Sequence, residues 1–176
     1  MHRVRIDLIS PTFERSTLYR NAVLFALDDF PDCPEFALKL CQIEVGTAIS
    51  STARKLFNPA TTVSAAFFSV YFELLTHRRN AAHGDYHSTA RVTNVLERAV
   101  ASHSGSVLLW RLLVHFSTSK ETVFTRANFA CPWSKTFACD QIRLEPDSIP
   151  ELVKNMQDRG LRIRTPVEEV QLLLAM

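Results

Sequence analysis

The chain has 176 residues, 47% of them hydrophobic and 22% charged, and carries a net charge of +2. A chain of this length folds with roughly two-thirds of its unfolded surface buried, and ordinary apolar and charged fractions exclude a disordered tail or a coiled coil. A charge so near balance, with Lys and Arg spread along the chain, excludes the strong basic field of a dedicated DNA or RNA binder.

In chain order, Met1-His2-Arg3-Val4-Arg5-Ile6-Asp7 has no apolar stretch and no small-residue cleavage site, so no secretory signal is read there. Apolar periodicity and residue propensity predict helices over 12–30, 35–45, 51–58, 62–76, 88–102, 106–118, 120–130, 134–144, 149–159 and 166–174. Four glycines, Gly46, Gly84, Gly105 and Gly160, stand where these patterns stop or are about to start. Asp32-Cys33-Pro34-Glu35, Ser148-Ile149-Pro150-Glu151 and Thr165-Pro166-Val167-Glu168 each place a capping residue three positions before a glutamate, which predicts helix starts.

Particular segments carry further expectations. The uncharged run 56–72 contains Asn58 and Pro59 and ends at Glu73, short of the roughly 20 apolar residues a membrane span needs, and reads as buried helix. The segment 80–87 is expected to be the longest loop. Val107, Leu108, Leu109, Trp110, Leu112, Leu113 and Val114 make a helix apolar nearly all round, expected to lie centrally and to be covered on several sides. Trp133, after Pro132, is expected to pack on its turn in preference to anchoring a partner. Ile149, Leu152, Val153 and Met156 recur at i, i+3, i+4 and i+7, with Gly160 as a left-handed stop.

No residue pattern supports catalysis. The phosphate-cradling, nucleophile-elbow and zinc-protease motifs are all missing from the sequence. His83 and His87 are four apart, but Gly84 between them breaks a helix and no third ligand is near. His115 is expected to flank the core by a hydrogen bond. Neighbouring carboxylates at Asp28-Asp29 and Glu168-Glu169 diverge by about 100° on a helix and read as solvated. Cys33, Cys41, Cys131 and Cys139 form no C-x-x-C pair and read as free thiols of a reduced, intracellular protein. The expectation is a non-enzyme with no catalytic residue, cofactor or metal.

A repeat is visible. Ala37, Leu40, Ile43, Glu44 align with Ala66, Ser69, Phe72, Glu73, with Trp110, Leu113, Phe116, Ser117 and with Ala138, Gln141, Leu144, Glu145 at the same spacing. The sets start 29, 44 and 28 residues apart, around the period of about 34 of helix-turn-helix repeats. Second helices are read from Tyr19-Arg20-Asn21-Ala22, Ala53-Arg54-Lys55-Leu56, Glu97-Arg98-Ala99-Val100 and Phe124-Thr125-Arg126-Ala127. Trp110, Leu113, Phe116, Phe124, Ala127 and Pro132 are the expected repeat core. The fold class is all-α, a right-handed α-solenoid of antiparallel helix hairpins.

The first helix built on Trp110 and the second of the form Phe124-x-Arg126-Ala127, closed by Pro132, resemble half-a-tetratricopeptide repeats. Residues 124–135 (FTRANFACPWSK) and 160–170 (GLRIRTPVEEV) resemble the C-terminal part of the nuclear-RNAi-defective, or necessary-for-RNA-interference, family (second protein of that name), closely over 104–176 and loosely over 12–101. The resemblance implies a nuclear scaffold in RNA surveillance, splicing-linked processing and small-RNA-guided silencing, with an exosome-linked RNA helicase among the family's partners. Members of that family are much longer, and their helicase-binding and low-complexity N-terminal regions have no counterpart here. Since the first helix enters as a second helix without its mate, 1–176 is expected to be one repeat domain forming the C-terminal portion of a longer solenoid, with 160–176 as its capping segment.

The resulting expectation is a non-catalytic protein-interaction scaffold, its partners other proteins of nuclear silencing and processing complexes. RNA contact would be indirect, and no membrane or small-molecule substrate is expected. Lys154, Arg159, Arg162 and Arg164, with Trp133, are the candidate partner or RNA contacts. Two alternatives remain: a tetratricopeptide-type adaptor outside the nucleus, and a helical module that binds RNA directly.

Overall fold

The computed structural model describes residues 17–47, 51–81, 88–144, 149–161 and 166–175. All regular structure among them is α-helical. The chain divides into two compact units, Met1–His103 and Ser104–Met176, where the sequence reads as a single repeat domain. Each unit is built around its own packed helices.

The first unit holds α1 (Thr17–Asp29), α2 (Pro34–Thr47), α3 (Ser51–Leu56), α4 (Val63–Ala81) and α5 (Ser88–Ser102). In α1, Tyr19, Ala22, Val23, Ala26 and Leu27 recur at helical spacing and are buried, so one face seeks cover. Helix α1 packs on α2, α2 on α4, and α4 on α5. The core they share includes Val23, Phe36, Leu40, Cys41, Phe57 and Phe72, each large side chain worth about 1.5–3 kcal/mol of transfer free energy.

The first start signal is shifted by one residue. Pro34 opens α2, and the Cys33 carbonyl accepts the first helical bond from Ala37 N–H at 3.2 Å, so Cys33 rather than Asp32 is the cap. Proline at this position loses nothing, because its missing donor would be unpaired anyway. The caps at Ser148 and Thr165 lie outside the described residues. Helix α4 runs on past Thr76 to Ala81. The Thr76 hydroxyl donates to the Phe72 carbonyl at 2.9 Å, a bond made within the helix that does not interrupt it, and Arg78 and Arg79 suit a helix C-terminus electrostatically. Asn80 is therefore helical, and the remainder of the expected loop, with His83 and His87, lies outside the described residues.

The second unit holds α6 (Val107–Phe116), α7 (Lys120–Ala130), α8 (Lys135–Leu144), α9 (Ile149–Asp158) and α10 (Pro166–Leu174). Helix α6 packs on α7, α7 on α8, and α8 on α9. Gly160 has φ +73°. Its N–H donates to the Gln157 carbonyl at 2.9 Å and Leu161 N–H to Met156 at 2.8 Å, the paired bonds of a left-handed helix stop. Helix α10 leaves Val167, Val170, Leu173 and Leu174 exposed.

Helix α6 departs from its expected central role. Leu109, Trp110, Leu113 and Val114 are buried, whereas Leu108 is 51% exposed and Arg111 and His115 face solvent. The face carrying Leu108, Arg111, Leu112 and His115 is only partly covered, and the arginine and histidine at i+3 and i+7 are what an open face tolerates. No helix among the described residues is long and apolar enough to cross a membrane.

Candidate functional site

Buried ionisable groups are the usual place to seek chemistry, and among the described residues the first unit buries two carboxylates, Glu44 and Glu73. Glu44, fully buried, receives Arg20 Nη2 on Oε1 at 2.6 Å and the Ala53 N–H on Oε2 at 2.8 Å. Arg20 also donates to the Thr52 hydroxyl at 2.7 Å. Glu73 accepts a two-pronged grip from Arg54, Nε at 2.6 Å and Nη2 at 3.1 Å, while the same guanidinium lies 5.7 Å from the centre of the Phe72 ring. The hydrogen bond that Arg54 donates to Glu73 holds its guanidinium still more firmly charged than usual. Both acids have their oxygens committed to fixed donors, which makes them bolts between helices.

The acids occupy positions that the sequence alignment matches, and in each case the arginine comes from a helix earlier in the chain. The other two aligned sets differ: Phe116 and Ser117 are half-buried, Leu144 is exposed, and Glu145 lies outside the described residues. Gln141 of the last set accepts the Asn128 amide at 2.7 Å.

The thiols are free. Burial, then the nearby Glu44 carboxylate, pushes Cys41 up to about 12, and burial also raises Cys131. Because burial disfavours the thiolate, the nucleophilic form of Cys41 is scarce until the pH nears that value. Native protein at pH 8 is therefore expected to react with a maleimide at the half-buried Cys33 and Cys139 and to leave Cys41 and Cys131 protected, as read by peptide mass spectrometry. Equal labelling of all four would contradict this packing. Among the described residues no group of three or more His, Cys, Asp or Glu is arranged to hold a metal.

A groove of about 420 Å³ lies in the second unit, between α6, α7 and α8. Phe124 and Phe137, buried with ring centres 5.0 Å apart, form its floor together with Leu112. Leu108 and Leu144, both about half exposed, stand at its edges. Its rim carries Arg111, His115, Lys120 and Arg143, with Asp140 as the single acid among the described residues. Asp140 Oδ2 is 2.5 Å from Arg111 Nε, an exposed pair worth little to stability. Trp110 lies behind this wall, its indole N–H donating to the Ser104 carbonyl at 2.7 Å and its ring 5.3 Å from the Arg126 guanidinium.

The residues singled out in the sequence fall elsewhere. Trp110, Leu113, Phe124 and Ala127 are buried, Phe116 is half-buried, and Pro132 sits exposed in the α7–α8 turn. Trp133 does not pack on that turn: it is 61% exposed. His115 is exposed, edge-on to Phe116 at 5.0 Å, instead of flanking the core. Lys154 is exposed and Arg159 donates to the Asn128 carbonyl at 3.2 Å. Arg162 and Arg164 lie outside the described residues. The groove was readable in part, since Leu108, Arg111, Leu112 and His115 follow i, i+3, i+4, i+7; Lys120 and Arg143 come from other helices and only folding brings them there.

No family model matches the chain, and no solved structure matches it. Among curated proteins it is similar to "Nuclear exosome regulator NRDE2" of Homo sapiens, 37% identical over 92 residues, which are 48% of this chain. It is likewise similar to the protein of that name from Mus musculus, 35% identical over 94 residues, 49% of this chain. The chain spans about 8% of the length of these curated relatives. The family resemblance drawn from residues 124–135 and 160–170 is thereby borne out over about half the chain.

Proposed function

We propose, on the kinship of half the chain with nuclear exosome regulators, that this protein is a non-catalytic scaffold holding together proteins of nuclear RNA processing and surveillance. That similarity is the observation that carries the reading. The all-helical build is in keeping with it. A solenoid of half-a-tetratricopeptide hairpins is supported by the packing of helices on near neighbours in the chain and by Arg20–Glu44 and Arg54–Glu73, two part-buried bolts whose acids stand at aligned positions. The commitment of those carboxylates to structure supports the absence of catalysis. Action in the nucleus, and within it in small-RNA-guided silencing of transcripts, is the finer form of the proposal, and rests on the family resemblance.

Affinity purification of the tagged chain from nuclear extract tests the reading. Enrichment of exosome-associated RNA-processing proteins is expected. Recovery of chaperones or trafficking factors without them would favour an adaptor outside the nucleus and overturn the proposal.

A further inference from the structure

The groove between α6, α7 and α8 carries a more specific statement, which rests on the scaffold reading and names the chemistry of a partner. We infer that it receives an acidic amphipathic protein segment, leucine-like side chains entering the groove and carboxylates meeting its rim. Among the described residues, three permanent cations, Arg111, Lys120 and Arg143, against Asp140 give the lining a net charge of +2, equal to that of the whole chain. Positive charge is thus concentrated here out of proportion to its surface, and Asp140 is already held by Arg111. Such a rim steers an acidic ligand and rejects a basic one.

The floor decides between a protein and a nucleic acid. Bases bind on aromatic faces that are presented for stacking. Here Phe124 and Phe137 are at most 1% exposed, and the apolar groups within reach are the edges of Leu108 and Leu144. Aliphatic edges around a concave, partly apolar hollow take side chains spaced along one face of a partner segment.

Fluorescence anisotropy of the full 176-residue chain, titrated into a labelled helical peptide with leucine at every third or fourth position and glutamate elsewhere, tests this. Saturable binding is expected, weakened about tenfold or more by Lys120→Glu with Arg143→Glu, two exposed positions whose replacement spares the core. Leu108→Ser is expected to weaken it as well, and the same peptide with lysine for glutamate to bind at least about tenfold less. Circular dichroism melting confirms that each variant is folded, and Lys120→Ala with Arg143→Ala replaces the double glutamate variant if that one is not. Equal binding by the variants, or by the lysine peptide, overturns the inference. So does labelled oligouridylate binding that the same variants abolish while the peptide fails to bind, or a second copy of the chain found in the groove as a dimer that Leu108→Ser dissociates. Failure of the peptide test alongside enrichment of exosome-associated proteins would remove the groove's assignment and leave the scaffold reading standing.

Discussion

Glu44→Ala is expected to cost about 3–5 kcal/mol of stability, because removing one member of a buried ion pair leaves the other charge uncompensated. Glu44 is fully buried, and the side chain of its partner Arg20 is only 21% exposed, so solvent screens the pair weakly. The same change strips the Ala53 N–H of its acceptor at the start of α3, and a buried orphan donor adds its own penalty. Helices α1, α2 and α3 all meet at this carboxylate, which makes it the tie between the first hairpin and the segment that follows. Urea unfolding followed by circular dichroism measures the loss. Glu44→Gln keeps the shape and one acceptor and should cost clearly less, and a double-mutant cycle with Arg20→Ala should show strong coupling. A loss below about 1 kcal/mol for Glu44→Ala would mean the bolt does not hold this unit together.

Phe124→Ala is expected to destabilise the second unit by about 3–5 kcal/mol, the range for deleting a buried phenylalanine. The ring is fully buried, stacks at a tilt on Phe137, and joins α7 to α8. It also floors the groove, so the deletion opens a hole beneath the surface that a partner would contact. Tryptophan fluorescence reports it directly, since Trp110 is buried in the same unit while Trp133 is already exposed. Phe124→Leu retains most of the volume and should cost less than half as much. Indistinguishable unfolding curves for wild type and Phe124→Ala would show that the packing of α7 on α8 is not what holds this unit.

What was legible in the sequence and what was not has a physical origin. Local features were readable: Pro34 starts a helix, Gly160 stops one in the left-handed conformation, and the helix between Ile149 and Asp158 shows its period in the residues themselves. Positions 44 and 73 stood out as aligned acids, but their meaning was hidden, because Arg20 and Arg54 lie 24 and 19 residues away and reach them only through helix packing. The extent of α4 was underestimated, since Thr76 looks like a terminus until its hydroxyl is seen bonded back to Phe72. The α6 face was misjudged for a related reason. Seven apolar residues over 107–114 suggest cover on every side, yet only the side bearing Trp110 and Leu113 is covered, and the side bearing Leu108 is left as a wall of the groove. The expected basic cluster does not mark the groove, because Lys154 and Arg159 belong to α9 and the residue after it, and neither lines the groove.

The proposed scaffold acts by holding proteins rather than by converting a substrate or gripping RNA. Affinity purification from nuclear extract divided into untreated and ribonuclease-treated halves addresses it most directly. Exosome-associated proteins recovered equally from both halves are the predicted result, since direct contacts between proteins do not need RNA. Their disappearance after ribonuclease would contradict the scaffold and point to an RNA-binding module.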